Sequence, residues 1–345
     1  MNFLDISGED ISKLTDSELR SLIGLLCEAD CRNAGQSTKG ITWGGSQDAP
    51  DGGLDVVVKN TEALPKESFI PRKHTGFQVK KPSMPVSAIK KEMCPKGVLR
   101  DIIKKIGEEN GAYVIVSSGD STSDSALKKR IDSMRDTIQS LDDQKKPILD
   151  FYDQGRIATW TRQHPSCILW VWNKIGRKIN GWLPYENWST NNEIIEDEYI
   201  IDDGLRLHDN RKSTEDGITI EQGISKLRSC LLPLTSSVRL TGLSGVGKTR
   251  LVEALFDNRI GNDALNSSLT IYTDVSFSPS PEPVAMCEQL VASKSRAILI
   301  VDNCSPELHR TLTKICNRLG SKISLLTVEY DIRDDLPDET EVFRL

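Results

Sequence analysis

Residues 242–249 read Gly-Leu-Ser-Gly-Val-Gly-Lys-Thr, the spacing G-x-x-x-x-G-K-[ST] that wraps phosphate groups. Glycines there let successive backbone N–H groups curl around phosphate oxygens, and the start of a following helix adds positive potential. Lys248 would reach the β- and γ-phosphates, and the Thr249 hydroxyl would ligate Mg²⁺. Gly242, Ser244, Gly245, Val246, Gly247 and Arg250 complete the candidate nucleotide-binding set. Downstream, the apolar run Ala297-Ile298-Leu299-Ile300-Val301 ends in Asp302, placed to hold the Mg²⁺ shared with Thr249. The competing readings are a Gly-rich turn and an ordinary loop carboxylate. Asn303 follows and cannot act as a base, so slow hydrolysis is expected, with ATP a conformational switch more than a fuel. Arg333 fits a γ-phosphate sensor and a surface arginine equally well. Guanine recognition would ask for N-K-x-D, which Asn173-Lys174-Ile175-Gly176 does not supply, so ATP is the expected nucleotide.

A second constellation lies upstream. Asp51-Gly52-Gly53-Leu54-Asp55 places an acid at the start of a β-branched run, and Phe77-Gln78-Val79-Lys80 follows. On a strand, residues i and i+2 share a face, so Gln78 and Lys80 project together. Asp55 and the Gln78 carbonyl oxygen could hold Mg²⁺, which activates water and offsets charge on a scissile phosphate. Lys80 would stabilise the developing negative charge. Between residues 72 and 105 stand ten Lys or Arg against two acids, Glu92 and Asp101. Of these, Lys81, Lys90, Lys91, Lys96, Arg100, Lys104 and Lys105 would neutralise flanking phosphates of double-stranded DNA. A helix glutamate would complete the metal set. Glu18 is one candidate, although Thr15-x-x-Glu18 also spells a capping box, and Glu28 is the other. His74 and His164 read as core or surface histidines.

These residues need elements to hold them. Apolar spacing predicts helices over 17–31, 98–109 and 125–140, and strands over 54–59, 75–80 and 112–118, with 40–43 as a further strand. Residues 148–190 hold five of the six tryptophans, at 160, 170, 172, 182 and 188, a pattern of a packed subdomain more than of a base-stacking platform. An acidic stretch then suggests a linker over 204–217, dividing a domain of 1–203 from one of 218–345. In the latter, strands are expected over 237–241, 269–273, 297–302 and 323–328 and helices after 249 and over 306–319, an alternation that implies a parallel sheet covered on both faces.

Bulk properties narrow the class. A chain of 345 residues with 37% hydrophobic and 27% charged content is that of a globular protein of two domains or a little more. Neither a membrane-length apolar run nor a signal peptide is apparent, and the eight cysteines show no C-x-x-C pair, so a reduced, cytoplasmic protein without structural zinc is expected. The net charge of −6 argues against nucleic-acid binding by the chain as a whole and puts weight on the basic block.

The order helix, three strands, helix, strand around Asp55, Gln78 and Lys80 resembles the αβββαβ core of the PD-(D/E)xK nucleases, in the Mrr-like branch where Gln replaces the usual acid. Joined to 242–249 and Val301-Asp302-Asn303, with Trp43-Gly44-Gly45, Gly76-Phe77-Gln78-Val79-Lys80-Lys81 and the run 111–118, it resembles the N-terminal part of bacterial antiviral STAND (Avs-type) NTPases with a restriction-endonuclease-like effector. The resemblance implies an α/β fold: a restriction-endonuclease-like αβββαβ domain, then a partial P-loop NTPase domain with a parallel sheet. It implies an ATP-switched, Mg²⁺-dependent DNA endonuclease of anti-phage defence, activated as a homo-oligomer, commonly a tetramer, when a C-terminal sensor meets a phage protein. The sequence stops at Leu345, before a helical lid or sensor repeats, so a truncated or shortened member is expected. The alternative is a catalytically inactive DNA-binding or oligomerisation module fused to a signalling ATPase.

Overall fold

In a computed structural model the described residues are 4–43, 53–177, 179–184, 204–211, 217–261, 263–330 and 339–345. Gly44, Gly45, Asp51, Gly52, Trp188, Arg333 and residues 212–216 of the expected linker lie outside them. The fold is mixed α/β, with two mixed sheets and eleven α-helices among the described residues. It divides into two compact units: residues 5–162 with 171–176, and residues 163–170 with 177–345 plus the first four. The division thus falls between 162 and 177 and not near 203. The reason is strand pairing: Trp182–Leu183 and Arg206–Asp209, within stretches read as the tail of a first domain and a linker, both hydrogen-bond into the second sheet.

The first unit opens with the short helix α1 (Gly8–Ser12) and then α2 (Asp16–Asn33). Leu19, Leu22, Ile23 and Leu26 recur at helical spacing and are fully buried, which fixes the face α2 turns inward. Five strands follow in spatial order: β1 (Ile41–Trp43), β2 (Val56–Lys59), β3 (His74–Lys80), β4 (Ala112–Ser117) and β5 (Ile148–Asp153). β1, β2 and β3 form an antiparallel meander; β3, β4 and β5 run parallel. Between β3 and β4 come two helices, α3 (Val86–Met93) and α4 (Asp101–Glu108); only the second was predicted. Next in chain order, α5 (Asp124–Thr137) connects β4 to β5 and α6 (Gln154–Thr161) follows β5.

Strand alternation sorts the core into two sides. One side gathers Leu54, Tyr113 and Ile115 with Ile89, Met93, Ile103, Ile106 and Met134 from α3, α4 and α5. On the other, Phe77 packs 6.0 Å from Trp160 of α6 and 6.3 Å from Tyr152, ring centre to ring centre. Trp160, Trp170, Trp172 and Trp182 are all buried, so none of the four offers a face to a nucleic-acid base. Cys27 and Cys31, one turn apart in α2, are buried thiols.

The second unit takes in most of α7 (Pro165–Lys174) and is built on eight strands in the order β6-β10-β11-β12-β9-β13-β7-β8. By residue these are β6 (Trp182–Leu183), β7 (Arg206–Asp209), β8 (Ile218–Thr219), β9 (Ser236–Thr241), β10 (Thr270–Asp274), β11 (Ala297–Asp302), β12 (Ile323–Val328) and β13 (Glu341–Arg344). The central run from β10 to β13 is parallel; β6 at one edge and the β7–β8 pair at the other are antiparallel. Every residue of β11 and β12 is buried, as strands covered on both faces require. One face packs Val238, Leu240, Ile298, Ile300 and Leu326 against α8 (Ile220–Leu231) and α9 (Lys248–Ala254). Against the remaining strand positions lie α10 (Pro283–Ala292) and α11 (Pro306–Cys316). No helix among the described residues is long and apolar enough to cross a membrane.

Candidate functional site

Each unit carries one constellation. In the first, β2 and β3 pair antiparallel with Val56 opposite Phe77, so Asp55, one step before β2, faces Gln78 across the ladder. Directly opposed residues project to one face, and the side chains meet: Asp55 Oδ2 accepts from Gln78 Nε2 at 2.7 Å and from the Val79 backbone N–H at 2.8 Å. Gln78 is 3% exposed, and its Oε1 has no hydrogen-bond partner. Lys80 lies two residues on, on the same face.

What surrounds this trio was not evident in the sequence. Arg20, from α2, brings its Nε within 3.2 Å of Asp55 Oδ1 and also pairs with Asp16. Glu92, near the end of α3, accepts from Arg100 Nη2 at 2.8 Å and lies 3.5 Å from Lys80 Nζ. Arg100 also donates through Nε to the Glu92 carbonyl, 2.7 Å away. Gly53, at φ +83°, leaves room for that guanidinium: a Cβ there would sit 2.5 Å from Arg100 Nη1. The Tyr113 hydroxyl is buried and without a hydrogen-bond partner. Burial pushes this phenol up from its ordinary value, and the Glu92 charge adds to the effect, with Arg100 opposing it and Asp55 reinforcing it. Burial likewise raises the Asp55 carboxyl, against the pull of the Val79 N–H, Arg20 and Lys80.

The two helix glutamates take other parts. Glu18 Oε2 accepts from the Thr15 N–H and Oγ1, each at 2.8 Å, while Thr15 Oγ1 accepts from the Glu18 N–H: the capping box that starts α2. The Thr15 N–H is the main reason the Glu18 carboxyl titrates below its ordinary value. Glu28 pairs with Arg32 at 3.0 Å and accepts from Trp43 Nε1 at 2.9 Å. The α2 residue that reaches Asp55 is therefore Arg20. His74, at the opposite end of β3 from Lys80, pairs with Glu109 at 2.5 Å, and His164 is fully buried beside Ser268.

Among the described residues no three of His, Cys, Asp and Glu gather as a metal-binding group. The residues present still suit a hard cation: an anionic carboxylate at Asp55, and at Gln78 a buried amide oxygen with nothing to bond.

In the second unit the loop 242–249 leaves β9 at the carboxyl edge of the sheet, where open α/β sheets bind ligands. Gly242, Gly245 and Gly247 have φ of +150°, +80° and +91°, and the last is the left-handed cap of α9. Lys248 Nζ donates to the carbonyls of Gly242 at 2.9 Å and Leu243 at 2.7 Å, folding over its own loop. Partial burial lowers the Lys248 ammonium from its ordinary value, with Asp302 opposing. Thr249 Oγ1 donates to Asp302 Oδ2 at 3.0 Å, so the two expected Mg²⁺ ligands are in contact. Tyr272, from the neighbouring β10, donates to the same oxygen at 3.1 Å. Arg250 turns aside to Glu253 at 2.8 Å, while Ser244 is exposed and Val246 half-buried. Asn303, in a left-handed conformation, donates through Nδ2 to Asp274 Oδ1 at 2.9 Å. Asp274 stands beside Asp302 in the ladder, an acid at this edge that motif reading passed over.

No family model, curated protein or solved structure matches the chain.

Proposed function

We propose that this protein is a Mg²⁺-dependent DNA endonuclease switched by ATP, acting in bacterial anti-phage defence. The observation that carries the reading is the convergence of Asp55, Gln78 and Lys80 on one sheet face, with Asp55 Oδ2 and Gln78 Nε2 2.7 Å apart. Asp55 and the Gln78 amide oxygen would hold Mg²⁺, which supplies a nucleophilic water and polarises the scissile phosphate. Lys80 would hold a non-bridging phosphate oxygen and offset the charge that builds there. Lys90, Lys91, Lys96 and Lys105 are exposed on and after α3 and would take the flanking phosphates. For the nucleotide, the support is the glycine conformations of 242–249 and the Thr249–Asp302 contact. Anti-phage defence, oligomerisation and a phage-protein trigger rest on the family resemblance alone.

Incubating plasmid DNA with the protein, with and without Mg²⁺ and ATP, tests the reading. Lys80→Ala should abolish Mg²⁺-dependent cleavage and leave ATP binding intact; Lys248→Ala should abolish ATP binding. Cleavage retained by Lys80→Ala would overturn the site. A second reading, an inactive DNA-binding module, draws on Arg20 and the Gln78 amide N–H, which both engage the Asp55 carboxylate. It calls for salt-sensitive DNA binding with no cutting under any of these conditions.

A further inference from the structure

Gln at position 78 leaves the candidate cation pocket one negative charge short, because Asp55 is the only carboxylate of the Asp55–Gln78–Lys80 trio. The fold delivers another from an unexpected direction. Ile89 and Met93, four residues apart on α3, are fully buried and anchor that helix. Glu92, beside Met93, is thereby held at the site with its side chain 17% exposed. It touches Lys80 directly, and its charge acts with that of Asp55 on the buried Tyr113 hydroxyl. Two buried oxygens without partners, Gln78 Oε1 and Tyr113 Oη, mark the same region as incomplete. A buried oxygen left without a donor is costly, and a hard cation is one group that would satisfy it.

We infer that Glu92 is the second anionic ligand of the divalent cation, completing an oxygen set with Asp55 and Gln78 Oε1. The inference rests on the nuclease reading above. Glu92 is bound here by two cationic side chains, Lys80 and Arg100. On taking a metal it exchanges them, which leaves both free to meet a phosphate. Glu92 thus links metal loading to exposure of the positive charge that DNA needs.

The test uses the full chain without DNA. Mn²⁺ binding is measured by calorimetry and by electron paramagnetic resonance for the wild type, Glu92→Gln, Glu92→Asp and Asp55→Asn. Glu92→Gln should weaken Mn²⁺ binding at least tenfold, and Glu92→Asp, which keeps the charge, should fall between it and the wild type. With metal chelated, Glu92→Gln should bind a DNA duplex at least as tightly as the wild type, because Lys80 and Arg100 lose their counter-charge. Mn²⁺ affinity unchanged in Glu92→Gln but lost in Asp55→Asn overturns the role of Glu92 and leaves the nuclease reading standing. Absence of Mn²⁺ binding in the wild type, or binding unaffected by Asp55→Asn, overturns both. If Glu92→Gln does not fold, Glu92→Asp decides: affinity equal to the wild type counts against the inference, weakened affinity for it.

Discussion

At the scale of single residues, Asp55 is held at a cost to stability. Burial raises its carboxyl on folding. An acid whose folded value lies above its unfolded one contributes stability that is present at low pH and lost as pH rises from the ordinary carboxylate value through the raised one. Asp55→Asn should therefore be more stable than the wild type at pH 7, with Tm higher by about 2 °C, and the gap should close below about pH 4. Thermal melts from pH 3.5 to 8 check this, and a wild type more stable than the variant at neutral pH would count against it. Asp55, Gln78 and Lys80 were legible because one strand and its neighbour carry them, so alternation alone sets their faces. Arg20, Glu92 and Tyr113 were not. Their meeting depends on how α2, α3 and β4 pack, and no local spacing encodes that.

At the scale of elements, the helix α9 that follows the loop 242–249 depends on a residue outside it in sequence. Arg228 of α8 is 1% exposed and spends its guanidinium on the far end of α9, donating to the carbonyls of Ala254, Leu255, Asp257 and Ile260 and to Asp263. The last carbonyls of a helix have no partner within it, and this side chain supplies one. Arg228→Ala should cost about 3 kcal/mol, and Arg228→Lys should recover little, because one ammonium cannot serve five acceptors spread around a planar fork. Denaturant unfolding of both variants reads the effect; a lysine variant as stable as the wild type would refute the capping role. The helix α3 escaped sequence reading because Pro82, Pro85 and Pro95 flank it and Lys90 and Lys91 interrupt its apolar pattern, although Val86, Ile89 and Met93 carried helical spacing. The strand β7 escaped because Leu207 is the only apolar residue in it, amid Arg206, His208 and Asp209.

At the scale of the whole molecule, a net charge of −6 would set the proposed DNA binding against long-range repulsion, so on that reading attachment comes from the local basic block. If about six phosphates are neutralised there, log K should fall with log salt at a slope of about −5. Reversing Lys90 and Lys91, both exposed on α3, should make the slope shallower by about two and weaken all duplex sequences alike. Filter-binding titrations across salt concentrations decide it, and a slope unmoved by both reversals would place the DNA elsewhere. The two α/β sheets themselves were readable from alternating runs and turns. The position of the unit boundary was not, since the pairing of Trp182–Leu183 with β10 is a long-range event.

The second sheet has one further consequence. Its strand β13, residues 341–344, is inserted between β9 and β7, parallel to the first and antiparallel to the second. A nascent chain holds β9 and the β7–β8 pair long before it holds the strand that joins them. Until β13 has paired with it, β9 presents a bare hydrogen-bonding edge next to the loop 242–249. Folding of this half therefore waits on a pairing between segments about a hundred residues apart, and until it forms the open edge of β9 invites chaperones and aggregation.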